Sequence, residues 1–339
     1  MKVLFIGDVH VKLTNLQQIE KLEKEMEKIQ EKKDEISFVV VAGDLLDDHE
    51  KVLTPLLNRA YGLIKTIRKI APVYVLVGNH DYINNQQFLT DCHWMNGMKE
   101  WKNVHVVDHP LMIKKFNKIF AFVPYVPNGR FFEALEKIPL WKTAECIFAH
   151  QEMKHCKMGV KISEDGDEWS DDYPMLVSGH IHERQKIGTK VLYPGSVINH
   201  AFGSDNQGIT ELTFEDGREM KEDRIDINLV KKHIHYEKIS NFHEIPESRF
   251  VPSVKICLSG TYAEVKVFKA TEHFDELKRS GVKVSFKIVK DRSEESRVRQ
   301  VVKRDSVMQV FEKLVSEEKD PELQKDFDKI KGDNAYILA

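Results

Sequence analysis

The sequence predicts an α/β fold: a largely parallel sheet covered on both faces, then a small α+β unit and a helical tail. Three observations carry this. Over the first 125 residues, short apolar runs alternate with longer amphipathic stretches. The runs are continuously apolar, as expected of strands buried on both faces. Most of them also end abruptly in polar residues, often just after a glycine.

Taken in order, "KVLFIGD" (2–8) reads as a strand and "NLQQIEKLEKEMEKIQEKKDEI" (15–36) as a long charged helix. "SFVVVAGD" (37–44) is a second strand, "VLTPLLNRAYGLIKTIRKI" (52–70) a second helix, and "PVYVLVGNHD" (72–81) a third strand. Strands separated by helices in this way form parallel pairs. Further strands are expected at 104–107, 118–124, 145–149, 175–178 and 191–193, with a hairpin-like pair around "FEDGRE" (214–219). The acidic stretch 163–174 reads as a solvated loop.

Residues 240–253 read as a linker, followed by a β-α-β unit made of "VKICLSG", "TEHFDELKRSG" and "VKVSFKIVK". The tail reads as two amphipathic helices broken at Pro321. The expected division is 1–238, 239–292 and 293–339.

Composition narrows the function. The chain has 339 residues, 41% apolar and 31% charged, with a formal net charge of −3. That composition is ordinary for a globular protein and excludes a polycation that merely coats DNA, though not a local basic groove. Residues 229–339 are slightly basic, with 22 Lys and Arg against 19 Asp and Glu. Four scattered cysteines with no C-x-x-C pair suit a reducing compartment. The apolar run in "MKVLFI" is too short for a signal peptide and no stretch is long enough to span a membrane, so a cytoplasmic protein is expected.

The polar strand ends carry the chemistry. Strand one runs into Asp8 and His10, strand two into Gly43 and Asp44, and strand three into Gly78, Asn79, His80 and Asp81. Later strands end in His150 and in "GHIH", with His180 and His182. The carboxyl ends of parallel strands share one rim, where ligands bind, so these groups should converge. Two aspartates, one asparagine and four histidines, without thiolate, suit Mn²⁺, Fe²⁺ or Zn²⁺. Seven ligands exceed the needs of one ion and fit a pair bridged by a carboxylate. Each motif alone is commonplace; their conjunction in this order is not.

D-x-H, GD-x-x-D, GNHD, a lone histidine and GH-x-H resemble, in order, the motifs of the calcineurin-like metallophosphoesterases. The resemblance covers about residues 1–200. Within that superfamily the chain looks like the SbcD-type nuclease subunit of double-strand-break repair complexes, in a compact phage-like version. "VPYVP" (123–127), "YPGSVINHAFG" (193–203), the capping unit and the helical tail carry that finer likeness.

The resemblance implies a β-sandwich with flanking helices, in αββα layers. It implies two divalent ions, Mn²⁺ foremost: one held by Asp8, His10, Asp44 and His182, the other by Asp44, Asn79, His150 and His180. His80 would contact the scissile phosphate, with Asp81 orienting its ring. The implied partners are DNA and an SbcC-type coiled-coil ATPase, with a homodimer as a further option and no membrane. Two positions depart from the pattern: Asp47 stands where some relatives carry histidine, and Ser204 where many carry glutamate. Asp47 is expected to play a supporting role at most; His49, His155 and His200 are expected to be incidental.

On substrate, "GDLLDDHE" and "GNHD" lack the V-D-R-G and GNHE that mark protein phosphatases of the superfamily. Small-molecule phosphodiesterases usually stop soon after GH-x-H, whereas about 140 residues follow here. In "VKVSFKIVK", Lys283, Ser285 and Lys287 share one face, which could track a phosphate backbone. The tail stripe of Val307, Met308, Val310, Phe311, Leu314 and Val315, with Leu323, Phe327 and Ile330 beyond, would close the chain's own core or dock the ATPase. The sequence therefore points to a two-metal DNA exonuclease and single-strand endonuclease. A stand-alone small-molecule phosphodiesterase or phosphatase is the alternative, and a scaffold that keeps its metal pocket without turnover a third reading.

Overall fold

Strand β1 (Lys2–Ile6), helix α1 (Leu16–Ile29), β2 (Ile36–Val41), α2 (Thr54–Ile67), β3 (Val73–Leu76) and β4 (Val104–Val107) follow one another as the apolar runs foretell. The molecule is seen in a computed structural model that describes residues 1–49, 51–203, 207–289, 314–315, 317–318 and 321–333, the last helix with side chains through 327. Strands β1 to β4 pair in parallel. The hairpin β13 (Ile209–Thr213) and β14 (Lys221–Ile225) adds antiparallel to β1, giving the order β14-β13-β1-β2-β3-β4.

A second six-stranded sheet has the order β11-β12-β10-β7-β6-β5. Its members are β5 (Leu111–Lys115), β6 (Lys118–Val123), β7 (Cys146–His150), β10 (Met175–Gly179), β11 (Gln185–Ile187) and β12 (Val191–Tyr193). The short hairpin β8 (Lys157–Met158) and β9 (Lys161–Ile162) lies between β7 and β10 in the chain.

The first sheet is covered on both faces, by helices on one and by the second sheet on the other. Leu4, Ile6, Val39, Val41, Val73 and Val75 face α1 and α2 through Ile19, Leu22, Leu63 and Ile67. The alternate residues Val3, Phe5, Phe38, Val40, Tyr74 and Leu76 pack instead on Phe120, Phe122, Phe148, Val177 and Leu192 of the second sheet. The outer face of that sheet is covered by Phe131, Leu135 and Trp141, from α3 (Phe131–Leu135) and the turn after it. Either environment is apolar, so a strand buried on both faces reads the same whether a helix or a sheet covers it. The αββα sandwich implied by the resemblance is what forms.

The acidic loop is not simply solvated. Ser163 and Asp167 are buried, and the Asp167 carboxylate accepts from Gly129 N at 3.1 Å and Gln151 Nε2 at 3.2 Å.

Beyond residue 232 come β15 (His233–Lys238), β16 (Val254–Gly260), α4 (Tyr262–Phe268), α5 (Glu272–Arg279) and β17 (Lys283–Ile288), with the strands in the order β15-β16-β17. Two helices stand where one is expected. Thr261 caps α4 reciprocally with Glu264. Close contacts gather the described residues into two compact units: Met1–Tyr236 with Ile245–Cys257 and Glu276–Ser285, and Glu237–Glu244 with Leu258–Asp275 and the described residues from Phe286 onward. The residues expected as a second domain thus divide between both. Phe242, Phe268, Phe274 and Phe286 form an aromatic cluster in the second unit. Helix α6 (Pro321–Asp333) starts at the expected break. Lys290, the segment 292–304 and the stripe residues Val307, Met308, Val310 and Phe311 lie outside the described residues, as does the Ile330 side chain.

Candidate metal centre

All seven expected ligands come to one place, but from two sheets. Asp8, His10, Asp44 and Asn79 lie just past β1, β2 and β3; His150 ends β7; His180 and His182 follow β10. Backbone hydrogen bonds tie the strand ends to one another, within the first sheet and across to the second. His10 N donates to Asp44 O at 2.8 Å, Val197 N to Gly7 O at 2.9 Å and Tyr125 N to Val77 O at 2.8 Å. The last two use the "YPGSVINHAFG" and "VPYVP" stretches, so those segments join strand ends of the two sheets.

Glycine allows the close approach. Gly43 has φ +98°, and a Cβ there would lie 2.5 Å from His150 Nδ1; a Cβ on Gly78 would lie 2.3 Å from Asp44 N. The ligands themselves are strained: Asp8, His10, Asp44 and His180 have φ of 31°, 44°, 50° and 77°. Non-glycine residues in that region each cost on the order of 1–3 kcal/mol and persist where the surroundings over-determine them.

Among the described residues, three donor groups emerge: His10, Asp44 and His80; Asp44, His150 and His180; and His10, His182 and His200, each with its ligand-capable atoms within 4.8 Å of one another. Asp44 belongs to two of them. Its Oδ2 lies 3.4 Å from His10 Nε2 and 3.3 Å from His150 Nε2. Asn79 Oδ1 sits 3.0 Å from His150 Nε2 and 2.9 Å from His180 Nδ1. Asp8 Oδ1 accepts from His180 N at 2.8 Å, while its Oδ2 is buried without a hydrogen-bond partner.

The electrostatics favour a cation. Burial raises the Asp8 carboxyl to about 6, helped by the charge on Asp44. Burial opposes ionisation of Asp44 too, yet His150 and His10 hold it well below the usual carboxylate range. Burial likewise opposes charge on His150, but Asp44 and Asp8 lift it to about 9. Burial, then the nearby His150, lowers His180 to about 4. Burial, then His200 and His10, lowers His182. His180 and His182 are thereby neutral and Asp44 anionic, the protonation states that metal ligation needs, whereas His150, held charged by Asp44 and Asp8, would give up its proton to a metal. His10 Nε2 and His182 Nε2 are 3.1 Å apart, which two bare lone pairs would not tolerate without a proton or a cation between them. The orphaned Asp8 oxygen and the all-nitrogen-and-oxygen donor set fit divalent metal.

Around this set, Asp47 touches His10 and Lys12. Its Oδ1 lies 3.1 Å from His10 Nδ1 and 3.0 Å from Lys12 Nζ. Asp81 does not orient His80, and that expectation is corrected. Its carboxylate accepts from Leu45 N at 3.1 Å, Leu46 N at 3.3 Å, Gly78 N at 3.0 Å and Trp94 Nε1 at 3.1 Å. Burial and the charge on Asp44 push it up to about 7, against those backbone N–H groups. The His80 ring is set instead by the Asp47 carbonyl, 2.6 Å from Nδ1, and by stacking on His49 at 4.5 Å. His49 and His200, expected to be incidental, thus join the site; only their contacts reveal it. His155 takes no part in these groups, and Ser204 lies outside the described residues.

A rim of buried aspartate, asparagine and histidine on an αββα sandwich defines a metal-dependent phosphoester hydrolase. The chain belongs to the calcineurin-like phosphoesterase family, whose sequence model matches residues 1–184. It is 42% identical over 275 residues to "Putative phosphoesterase 244L" of Invertebrate iridescent virus 6, covering 79% of this chain and 97% of that protein. It is 40% identical over 299 residues to "Putative phosphoesterase 078R" of Invertebrate iridescent virus 3, covering 85% and 84%. A solved hypothetical protein from Thermus thermophilus aligns at 19% identity and a TM-score of 0.38, over 66% of this chain and 98% of its own. Among the described residues, no helix is long and apolar enough to cross a membrane.

Proposed function

We propose that the chain is a DNA phosphodiesterase, a nuclease that seats two divalent ions, Mn²⁺ foremost, and cuts DNA ends and single strands. It would act as the SbcD-type subunit beside a coiled-coil ATPase. The observation that carries this reading is a basic, aromatic surface at the mouth of the metal centre. A cavity of about 360 Å³ is lined by His180, His182 and His200 and also by Phe202 and Lys157. Lys232 and Lys283 lie over the Phe202 ring, 5.8 and 5.5 Å from its centroid. Burial, then Lys283 and Lys12, lowers the Lys232 pKa, so these ammonium groups sit close enough to repel one another. Neither Lys232 nor Lys283 has a carboxylate partner among the described residues. An aromatic face flanked by unneutralised lysines suits a base and its phosphates, recognised without regard to sequence.

The residues divide the work accordingly. When bound, two divalent ions would polarise the phosphoryl oxygens and lower the pKa of water. Asp8, His10, Asp44 and His182 would hold one, and Asp44, Asn79, His150 and His180 the other. His80 keeps Nδ1–H on the Asp47 carbonyl, which leaves Nε2 free. A phosphodiester at Nε2 brings negative charge that favours the imidazolium, so His80 gains a proton with substrate and can pass it to the leaving oxygen.

The cavity volume also admits a single nucleotide-sized ester, which favours a small-molecule phosphodiesterase as the second reading. Labelled linear DNA with Mn²⁺, run against bis-p-nitrophenyl phosphate, separates the two. We expect Lys232→Ala with Lys283→Ala to cut DNA cleavage about tenfold near physiological salt and to leave the small ester unaffected. Turnover of the small ester alone by the wild type would overturn the DNA reading. For the ATPase, Leu314 and Leu323 of the tail are half-exposed apolar side chains; loss of co-purification on deleting 305–339 would support docking there, and unchanged co-purification would refute it.

A further inference from the structure

His200 comes from the loop between β12 and β13, within the "YPGSVINHAFG" stretch, outside the seven-ligand set. Its Nε2 lies 2.7 Å from the Asp8 carbonyl oxygen. A carbonyl only accepts, so Nε2 carries the proton and Nδ1 of the neutral ring holds the lone pair. That Nδ1 is sealed from solvent and has no hydrogen-bond partner among the described residues. The ring meets His10 edge-on at 4.8 Å and leans on His182 at 4.7 Å. The ligand-capable atoms of these three histidines lie within 4.8 Å of one another.

The same device recurs around the centre. His150 gives Nδ1–H to the Ala42 carbonyl at 2.6 Å and turns Nε2 inward. His10 sets Nδ1 3.1 Å from the Asp47 carboxylate and turns Nε2 toward Asp44. Fixing one ring nitrogen on an oxygen so that the other can ligate is how proteins prepare metal-binding histidines. His200 is built this way, with its two nitrogens exchanged.

We infer that His200 is an eighth ligand, binding through Nδ1 to the ion held by His10 and His182. This rests on the two-ion reading above and goes beyond it. A third imidazole would make that position richer in nitrogen than its neighbour and so shift its preference among divalent metals toward Zn²⁺, Co²⁺ and Ni²⁺ and away from Mn²⁺. The Asp8 backbone, clamped by the same ring, couples loading of this ion to the strained turn at Asp8.

The test is calorimetric titration of Mn²⁺ into chelator-stripped protein. We expect two ions in the wild type, and in His200→Ala about a ten- to hundredfold loss of affinity at one position with the other unchanged. Equal affinities at both positions in wild type and variant would overturn the assignment. Should His200→Ala not fold, pulsed electron paramagnetic resonance of wild-type protein loaded with Mn²⁺ counts coupled imidazole nitrogens. Three imidazoles on one ion sustain the proposal, and no more than two on either ion refutes it. A wild type that takes up no Mn²⁺ brings down the two-ion reading itself, a separate failure.

Discussion

His80 and Asp81 are neighbours in sequence and part company in space. The His80 ring opens to the centre, while the Asp81 carboxylate turns inward to three backbone N–H groups and the Trp94 indole. Two predictions separate the roles. His80→Ala should retain the metal content of the wild type, measured by elemental analysis, yet lose about a hundredfold or more in kcat, the scale of a proton-transferring side chain. Asp81→Ala should instead unfold in markedly less urea, by about 3 kcal/mol, because four N–H donors lose their acceptor. Wild-type stability with a collapsed kcat in Asp81→Ala would restore Asp81 to the chemistry.

At the scale of elements, the first sheet ends in a charged tie. Asp108, just past β4, accepts from His93 Nε2 at 3.1 Å, Lys99 Nζ at 2.5 Å and His109 Nδ1 at 3.1 Å. Burial would raise its pKa, but those three hydrogen bonds bring it well below the ordinary value. A folded-state pKa below the unfolded value near about 4 means stability that is complete above that pH and is lost as the pH falls. Asp108→Asn should therefore be less stable than wild type at pH 7 and lose less on acidification below about pH 4, followed by denaturant midpoints. Parallel acid limbs would refute the tie.

The buried strands β1 to β4, β6, β7, β10 and β12 were legible because continuous apolar runs of that length have few other uses. The edge strands β5 and β11 and the short pair β8 and β9 were not: β5 holds "LMIKK" and β11 only "QKI". Too few residues alternate there to signal a face.

At the scale of the whole molecule, the candidate centre joins two sheets, with four of its expected ligands held at positive φ. Ions that bind only the folded protein should stabilise it by mass action, about 2.7 kcal/mol at a hundred times Kd. Melting temperature should therefore rise with Mn²⁺ and fall in chelator, read by calorimetry. A melting point indifferent to Mn²⁺ over that range would count against a metal centre that ties the sheets together.

By itself the sequence determined the buried strands, the parallel pairing of the first sheet and the candidate ligand types, because motif spacing and apolar runs are properties of neighbouring residues. Tertiary structure alone decided that the ligands arrive from two sheets, that Asp81 faces the backbone, and that His49 and His200 enter the site. Those outcomes depend on where a ring nitrogen points and which carbonyl meets it, and residues far apart in the chain set both.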